Sequence, residues 1–250
     1  MNTIKNFSGR AEDYAAGRPN YAADFIEFLY SDCGFDASSI IADIGSGTGK
    51  LSRQLLERGS KVICVEPNED MRFAAERLLS KFDDFCSIDG SCDNTKIKEK
   101  SVDFITAAQA FHWFDAESFK AESKRILKPE GKVILVYNTR DLKSAFNIEC
   151  YKIYQKYCPL FKGYHNGMKD DDERICSFFN YEYKKVSFKN PLLFTKDKFI
   201  SRCLSSSYSI KSDNQNYDDY IKSLEVVFDK YAKKNNVVMD NDTVAYIGKI

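Results

Sequence analysis

The stretch IIADIGSGTGKLS, Ile40–Ser52, runs from a short apolar segment into a glycine turn and a lysine. The turn suggests a phosphate-gripping loop, but its spacing does not fit. That motif, G-x-x-x-x-G-K-[ST], needs glycine at 44 and a hydroxyl at 51, where the chain has Ile44 and Leu51. The dinucleotide fingerprint G-x-G-x-x-G fails at its third glycine, which is Lys50. What remains is D-x-G-x-G-x-G, built on Asp43, Gly45, Gly47 and Gly49. Glycines let a backbone pass close beneath a ligand and take up positive φ. Asp43, at the strand end, either accepts hydrogen bonds that hold the loop open or meets a ligand ammonium. A helix expected from Thr48 to Arg58, stopped by Gly59, offers N–H groups suited to a modest anion such as a carboxylate. A tight strand–helix turn with no ligand is the plainer alternative.

Outward from that turn, strand and helix patterns alternate. Upstream, AADFIEFLYSDC places Phe25, Ile26, Phe28 and Leu29 on one helical face. Downstream, KVICVE reads as a buried strand. After Pro67, the residues Met71, Ala74, Ala75, Leu78, Leu79 and Phe82 follow helical spacing. FCSID and VDFITAA read as strands, and Asp115 is placed to cap a helix from Ala116 to Leu127. LKPEGK reads as a turn, with Gly131 relieving a backbone dihedral, and KVILVYN as a fifth strand. Five such repeats predict an α/β, doubly wound parallel sheet with helices on both faces.

Beyond Arg140 the rhythm changes. The pattern predicts a helix over 145–158, a solvated loop at DDDER (170–174), a half-exposed strand in YEYKKVSF and a helix from Thr195 to Leu204. Tyr220, Ile221, Leu224, Val227, Phe228 and Tyr231 mark an amphipathic helix, and TVAYIGKI a closing strand.

Composition narrows the function. The 250 residues carry 37 basic and 37 acidic side chains, so the basic excess typical of nucleic-acid binders is missing. Eight cysteines without a C-x-x-C pair, and only His112 and His165 as histidines, argue against a zinc site. Cys64 within VICV behaves as a small hydrophobe, which fits a reducing cytosol. No apolar run is long enough for a membrane span, and MNTIKNFSGRAEDY has no signal core, so a cytoplasmic protein is expected.

Glu66 ends KVICVE, 21 residues after Gly45. A carboxylate there is placed to accept hydrogen bonds from both ribose hydroxyls of a nucleoside. The alternative is an exposed acid at the helix start.

Together, ADIGSGTGKL, VICVEPNEDM, SVDFITAAQAFHWFD and RILKPEGKVILV resemble class I S-adenosylmethionine-dependent methyltransferases. They are most similar to the small-molecule branch typified by trans-aconitate methyltransferase. The resemblance covers about residues 5–140 and fades afterwards. It implies a Rossmann-like, seven-stranded, mostly parallel sheet with an antiparallel last strand and a small helical cap. Residues 1–141 would form the cofactor-binding core with an N-terminal lid, and 142–250 the late strands and substrate cap of the same domain.

By that resemblance Gly45, Ser46 and Gly47 lie along the methionine portion of S-adenosylmethionine, Glu66 binds the ribose, and Pro67 and Met71 flank the adenine. DGSCD departs from the family's usual G-D-A-E: Ser91 stands where aspartate is common and Cys92 where alanine is common. Adenine recognition then leans on backbone contacts, or the segment is a plain turn. Gln109 takes the place near the sulfonium. His112 and Trp113 follow at the mouth, His112 as a general base or as a local anchor. Tyr14 and Arg18 match a segment that folds over the cofactor, and Arg18 is a candidate partner of its carboxylate. Arg140 is a candidate for meeting an acidic substrate. The resemblance implies a small-molecule methyl acceptor, with a carboxylic acid one candidate; the charge balance, the two histidines and the lack of a long apolar run add the expectation of no nucleic-acid partner, no metal and no membrane, and a monomer or homodimer is expected. A protein or RNA methyltransferase and a non-catalytic cofactor-binding module are the competing readings.

Overall fold

The computed structural model describes residues 19–164 and 172–250. Tyr14 and Arg18 lie outside the described residues, as do residues 170 and 171 of the acidic run.

Helix α1 (Ala23–Ser31) leads into β1 (Ile40–Ile44), α2 (Lys50–Leu56), β2 (Lys61–Val65), α3 (Glu69–Leu79), β3 (Phe85–Ile88) and β4 (Val102–Ala108). A 3-10 turn at Phe111–Trp113 precedes α4 (Ala116–Ile126) and β5 (Leu127–Arg140). Then come α5 (Ala145–Tyr157), α6 (Glu173–Phe178), β6 (Lys184–Lys189), β7 (Leu192–Phe194), α7 (Lys196–Leu204), α8 (Tyr217–Tyr231), β8 (Val237–Met239) and β9 (Asn241–Gly248).

Seven strands form one sheet in the order β3-β2-β1-β4-β5-β9-β6. Strand β1 pairs in parallel with both β2 and β4, and β9 runs antiparallel to β5 and β6. This is the expected doubly wound sheet, with the last strand in sequence reversed and inserted one place from the edge. The order reverses between β1 and β4, which opens a crevice at their carboxyl ends.

One face of the sheet packs Phe25, Leu29, Leu51, Leu55 and Leu79 against Ile41 and Val62. The other packs Phe119, Ile126, Ile175 and Phe178 against Ile44, Ile105 and Leu135. Phe25, Leu29 and Leu55 are wholly buried, each adding about 1.5–3 kcal/mol relative to exposure. A third core, with Tyr154, Phe199, Tyr220, Leu224 and Phe228, belongs to a cap made from two insertions. The first insertion is α5, after β5. The second comprises β7, α7, α8 and β8, between β6 and β9.

Four local expectations need correction. Helix α2 begins at Lys50 rather than Thr48, because Gly49 has φ +75°, outside helical space. It ends at Leu56; the chain then closes through Gly59, whose N–H donates to Leu56 O at 2.9 Å. The KPEG turn is a bulge inside β5: Leu127 pairs with Val102, and pairing resumes only at Lys132 with Phe104. Gly131 serves close packing there, since a Cβ would fall 2.6 Å from Leu127 Cδ2 and 2.9 Å from Asp103 O. Nor is all of DDDER a loop: Asp172 accepts from Arg174 N and caps α6.

Candidate functional site

The crevice is built where the turn after β1 meets the ends of β2 and β4. Gly45 N donates to Val65 O at 2.8 Å, which ties the start of the turn to the neighbouring strand. Gly45 and Gly47 both hold left-handed backbone, φ +66° and +56°. A Cβ on Gly45 would lie 2.9 Å from Ala110 Cβ and 3.0 Å from Phe114 Cζ. Only glycine lets the segment after β4 approach this closely. By contrast, nothing lies within 4 Å of a Cβ placed on Gly47. That side of the turn is open.

Glu66 reaches across the crevice. Its Oε2 accepts from Gly47 N at 2.9 Å and its Oε1 from Asn68 N at 2.8 Å. The residue is 9 % exposed. Burial raises its pKa, while the two amides and Arg72 oppose the shift. It is therefore a sequestered acid fixed on the loop, not an exposed helix-start residue. A carboxylate has about four acceptor positions, so two remain for a ligand.

Asp43 sits beneath the turn and is fully buried. Ser52 Oγ donates to its Oδ2 at 2.5 Å and Thr106 Oγ1 to its Oδ1 at 2.8 Å. Burial raises its pKa to about 6 against these bonds. It braces the loop from below, each of its oxygens accepting a hydroxyl from within the fold. Ser46 and Thr48 are also buried, and Thr48 Oγ1 has no hydrogen-bond partner among the described residues.

Along the β2 edge, Pro67 is half-buried and Met71 is 2 % exposed, its amide capped by Asn68 Oδ1 at 3.0 Å. Ser91 and Cys92 form a half-buried turn in which Ser91 exchanges backbone bonds with Asn94 at 3.1 and 3.2 Å. Burial pushes the Cys92 thiol up to about 11. Arg72, not singled out from the sequence, joins two strand ends: its Nη1 donates to Glu66 O at 3.0 Å and approaches Asp89 Oδ1 at 3.4 Å. Its position one residue after Met71 carries no motif that would have revealed this.

At the β4 end, Gln109 holds φ +55°, uncommon for a residue with a side chain. Its N–H donates to Val136 O and its Nε2 to Asn138 O, both at 2.9 Å. The Nε2 is thus tied to β5, and the bent backbone leads into Ala110, which packs against Gly45. His112 and Trp113 lie in the 3-10 turn, half-buried, with ring centroids 4.7 Å apart. The His112 ring is 6.1 Å from that of Tyr137. Arg140, two residues past Asn138, points away into the cap, where its Nε donates to Met239 Sδ at 3.1 Å.

Direct contacts join the turn to Glu66 through Gly47 and to the Ala110–Phe114 segment through Gly45, the Ser91–Cys92 turn follows β3 at the same end of the sheet, and Arg140 is bonded instead to Met239 of the cap. Among the described residues no group of three or more His, Cys, Asp or Glu side chains could hold a metal. No helix among them is long and apolar enough to cross a membrane.

Residues 42–135 match the family model described as a methyltransferase domain. An uncharacterized methyltransferase-like protein of Schizosaccharomyces pombe is 34 % identical over 162 residues, 63 % of this chain and 62 % of that one. An uncharacterized methyltransferase of Mycobacterium bovis is 34 % identical over 136 residues, 54 % of this chain and 53 % of its own. The chain thus spans between half and two thirds of the length of these relatives. Among solved structures, a provisionally assigned methyltransferase from an antibiotic biosynthesis pathway of Anabaena variabilis aligns with TM-score 0.61 at 17 % identity. It covers 92 % of this chain and 98 % of its own. The fold is the Rossmann-like one of that structure, and the stretch from β1 to β5 is similar to a methyltransferase domain.

Proposed function

We propose that the protein transfers a methyl group from S-adenosylmethionine to a small-molecule acceptor. The observation that carries this reading is the Gly47–Glu66 contact: an open glycine and a buried acid share one wall of the crevice. The residues fit the cofactor. Glu66 keeps acceptor positions for two ribose hydroxyls, and the backbone of Gly45, Ser46 and Gly47 leaves room for the methionine portion. Thr48 Oγ1 offers a buried, unmet hydroxyl in the same turn. The Ser91–Cys92 turn would meet the adenine through backbone groups, and Asp43 holds the turn in shape from below. When bound, S-adenosylmethionine supplies a methyl group already activated by its sulfonium.

The chain's own contribution is alignment and exclusion of water. Holding two reactants in line is worth up to about 7–11 kcal/mol of barrier. Gln109 fixes the path of the segment that carries His112 and Trp113. A hydroxyl or amine acceptor would need a base, and His112 is the group placed to take the proton. A carboxylate acceptor would need none. Five of the eight cysteines are buried, which fits action in the reducing cytoplasm.

The test is calorimetric titration with S-adenosylmethionine, followed by a turnover screen over acids, amines and phenols that reads S-adenosylhomocysteine. Binding is expected, weakened about 10- to 100-fold by Glu66→Gln through the loss of a charge-assisted contact. No heat at millimolar cofactor would sink the reading.

A further inference from the structure

Sheet and cap meet at an outer strand pair, Arg140 on β5 and Asn241 on β9. Directly paired residues of antiparallel strands project from the same face, with Cβ atoms about 4.5–5.5 Å apart. The next pair inward on that face, Asn138 and Thr243, is satisfied. Thr243 Oγ1 donates to Asn138 Oδ1 at 2.7 Å, Asn190 Nδ2 donates to the same oxygen at 3.1 Å, and Asn138 Nδ2 donates to Asn20 O at 3.1 Å. The outer pair differs. Arg140 Nη2 and Asn241 Nδ2 are both buried, and neither has a hydrogen-bond partner among the described residues. Tyr164 Oη is in the same condition, and its ring lies 4.7 Å from the Arg140 guanidinium carbon.

Arg140 is thus a permanent cation with only a thioether for Nε, set among Tyr164, Tyr154, Tyr208 and Cys203. No carboxylate forms an ion pair with it among the described residues. Burial keeps the Tyr154 and Tyr164 phenols protonated, so Tyr164 is a donor. Arg140 as a whole is half-buried, but its Nη2 is cut off from solvent, and a buried cationic donor without a counter-charge is unfavourable. Three unmet donors, one of them charged, are the complement of a planar anion that takes a two-pronged contact.

We propose that Arg140, Tyr164 and Asn241 form a carboxylate-binding subsite, so that the methyl acceptor is an organic acid held by its carboxylate in the cap. The assignment rests on the methyltransferase reading. Arg140 lies about 7 Å further along β5 than Asn138, where Gln109 is anchored, at ~3.3 Å per residue. Its side chain turns towards Met239 and away from the crevice. The carboxylate is therefore the handle, and the methyl group goes to another atom of the acid.

The test is calorimetry on the full chain with S-adenosylhomocysteine present. The probes are acetate, phenylacetate, 4-hydroxyphenylacetate, indole-3-acetate and hexanoate, each against its neutral amide, together with phenyl phosphate. At least one acid is expected to bind ~30-fold or more tightly than its amide, as the loss of one partner of a buried charged pair implies. Arg140→Met removes that preference, and Tyr164→Phe weakens acid binding ~3- to 10-fold. Arg140→Met also leaves the unfolding midpoint of the ligand-free protein unchanged or higher, since an uncompensated charge is gone; a merely structural arginine would give a lower midpoint. Acids and amides binding alike, every acid failing at 20 mM while S-adenosylhomocysteine binds, Arg140→Met keeping the preference, or phenyl phosphate outbinding every acid would each overturn the subsite and leave the methyltransferase reading standing. Failure of S-adenosylhomocysteine itself to bind would overturn both.

Discussion

Asp43 and Glu122 are both buried carboxylates, and their surroundings push them in opposite directions. Asp43 accepts from two hydroxyls but no cation, and burial raises it to about 6 from an ordinary 3.8. A carboxyl raised in the fold contributes stability that is fully present below its unfolded pKa and lost as pH climbs through its folded one. Ionising Asp43 therefore costs about 3 kcal/mol between pH 4 and 6. Asp43→Asn is expected to flatten the fall in urea stability across that window. Glu122 loses solvent on burial, but Arg125 and Thr95 outweigh this and hold it down at about 2. Its contribution is present above pH 4.5 and lost as pH falls towards 2. Glu122→Gln should flatten the acid limb below pH 4.5 and leave the Asp43 window untouched. Urea midpoints at half-unit pH steps for both variants check the two signs together.

Two glycines two positions apart in the loop between β1 and α2 do different work. A Cβ on Gly49 would fall 2.5 Å from Leu79 Cδ1, so this glycine lets α2 lie close against α3. Gly49→Ala is expected to cost ~2–4 kcal/mol, overpacking plus left-handed backbone strain, and to lower the urea midpoint. A Cβ on Gly47 meets open space, at φ +56°. Gly47→Ala should cost only ~1–2 kcal/mol of backbone strain and weaken cofactor binding at least ~10-fold, because the methyl group enters the ligand's side of the turn. Equal stability losses in the two variants, or intact binding in Gly47→Ala, would contradict this division.

Across the whole molecule, the cap has a core of its own beside the two sheet faces. Where it joins the sheet, Asn147 Nδ2 donates to Asp141 O at 2.9 Å and to Asp240 O at 2.6 Å, and Arg140 meets Met239. Phe199 is fully buried at its centre, against Phe146 and Phe228. Phe199→Ala is expected to cost ~3–5 kcal/mol locally. Amide exchange should accelerate in α5, α7 and α8, while β1 to β5 stay protected and cofactor affinity changes less than ~3-fold. Uniform acceleration across the sheet would mean that cap and sheet unfold as one unit.

The alternating patterns from Ile40 to Asn138 determined the parallel part of the sheet, because apolar periodicity and glycine spacing are local properties that survive in a linear string. The D-x-G-x-G-x-G loop and its distance to Glu66 were legible for the same reason. The sequence could not assign Asp43 a side of the turn: whether a carboxylate faces a ligand or two hydroxyls depends on Ser52 and Thr106, and Thr106 is 63 residues away. Nor could it show that Gln109 is bonded to β5, that Arg72 joins two strand ends, or that Leu192–Phe194 pairs with Val237–Met239. Arg140 was a candidate from its place after a strand. That Arg140 Nη2, Asn241 Nδ2 and Tyr164 Oη are buried without acceptors among the described residues emerges only when β9 folds back beside β5 and the cap packs against them. Unmet donors belong to the packed interior: every side chain in an unfolded chain has water to satisfy it, and only burial decides which ones go without.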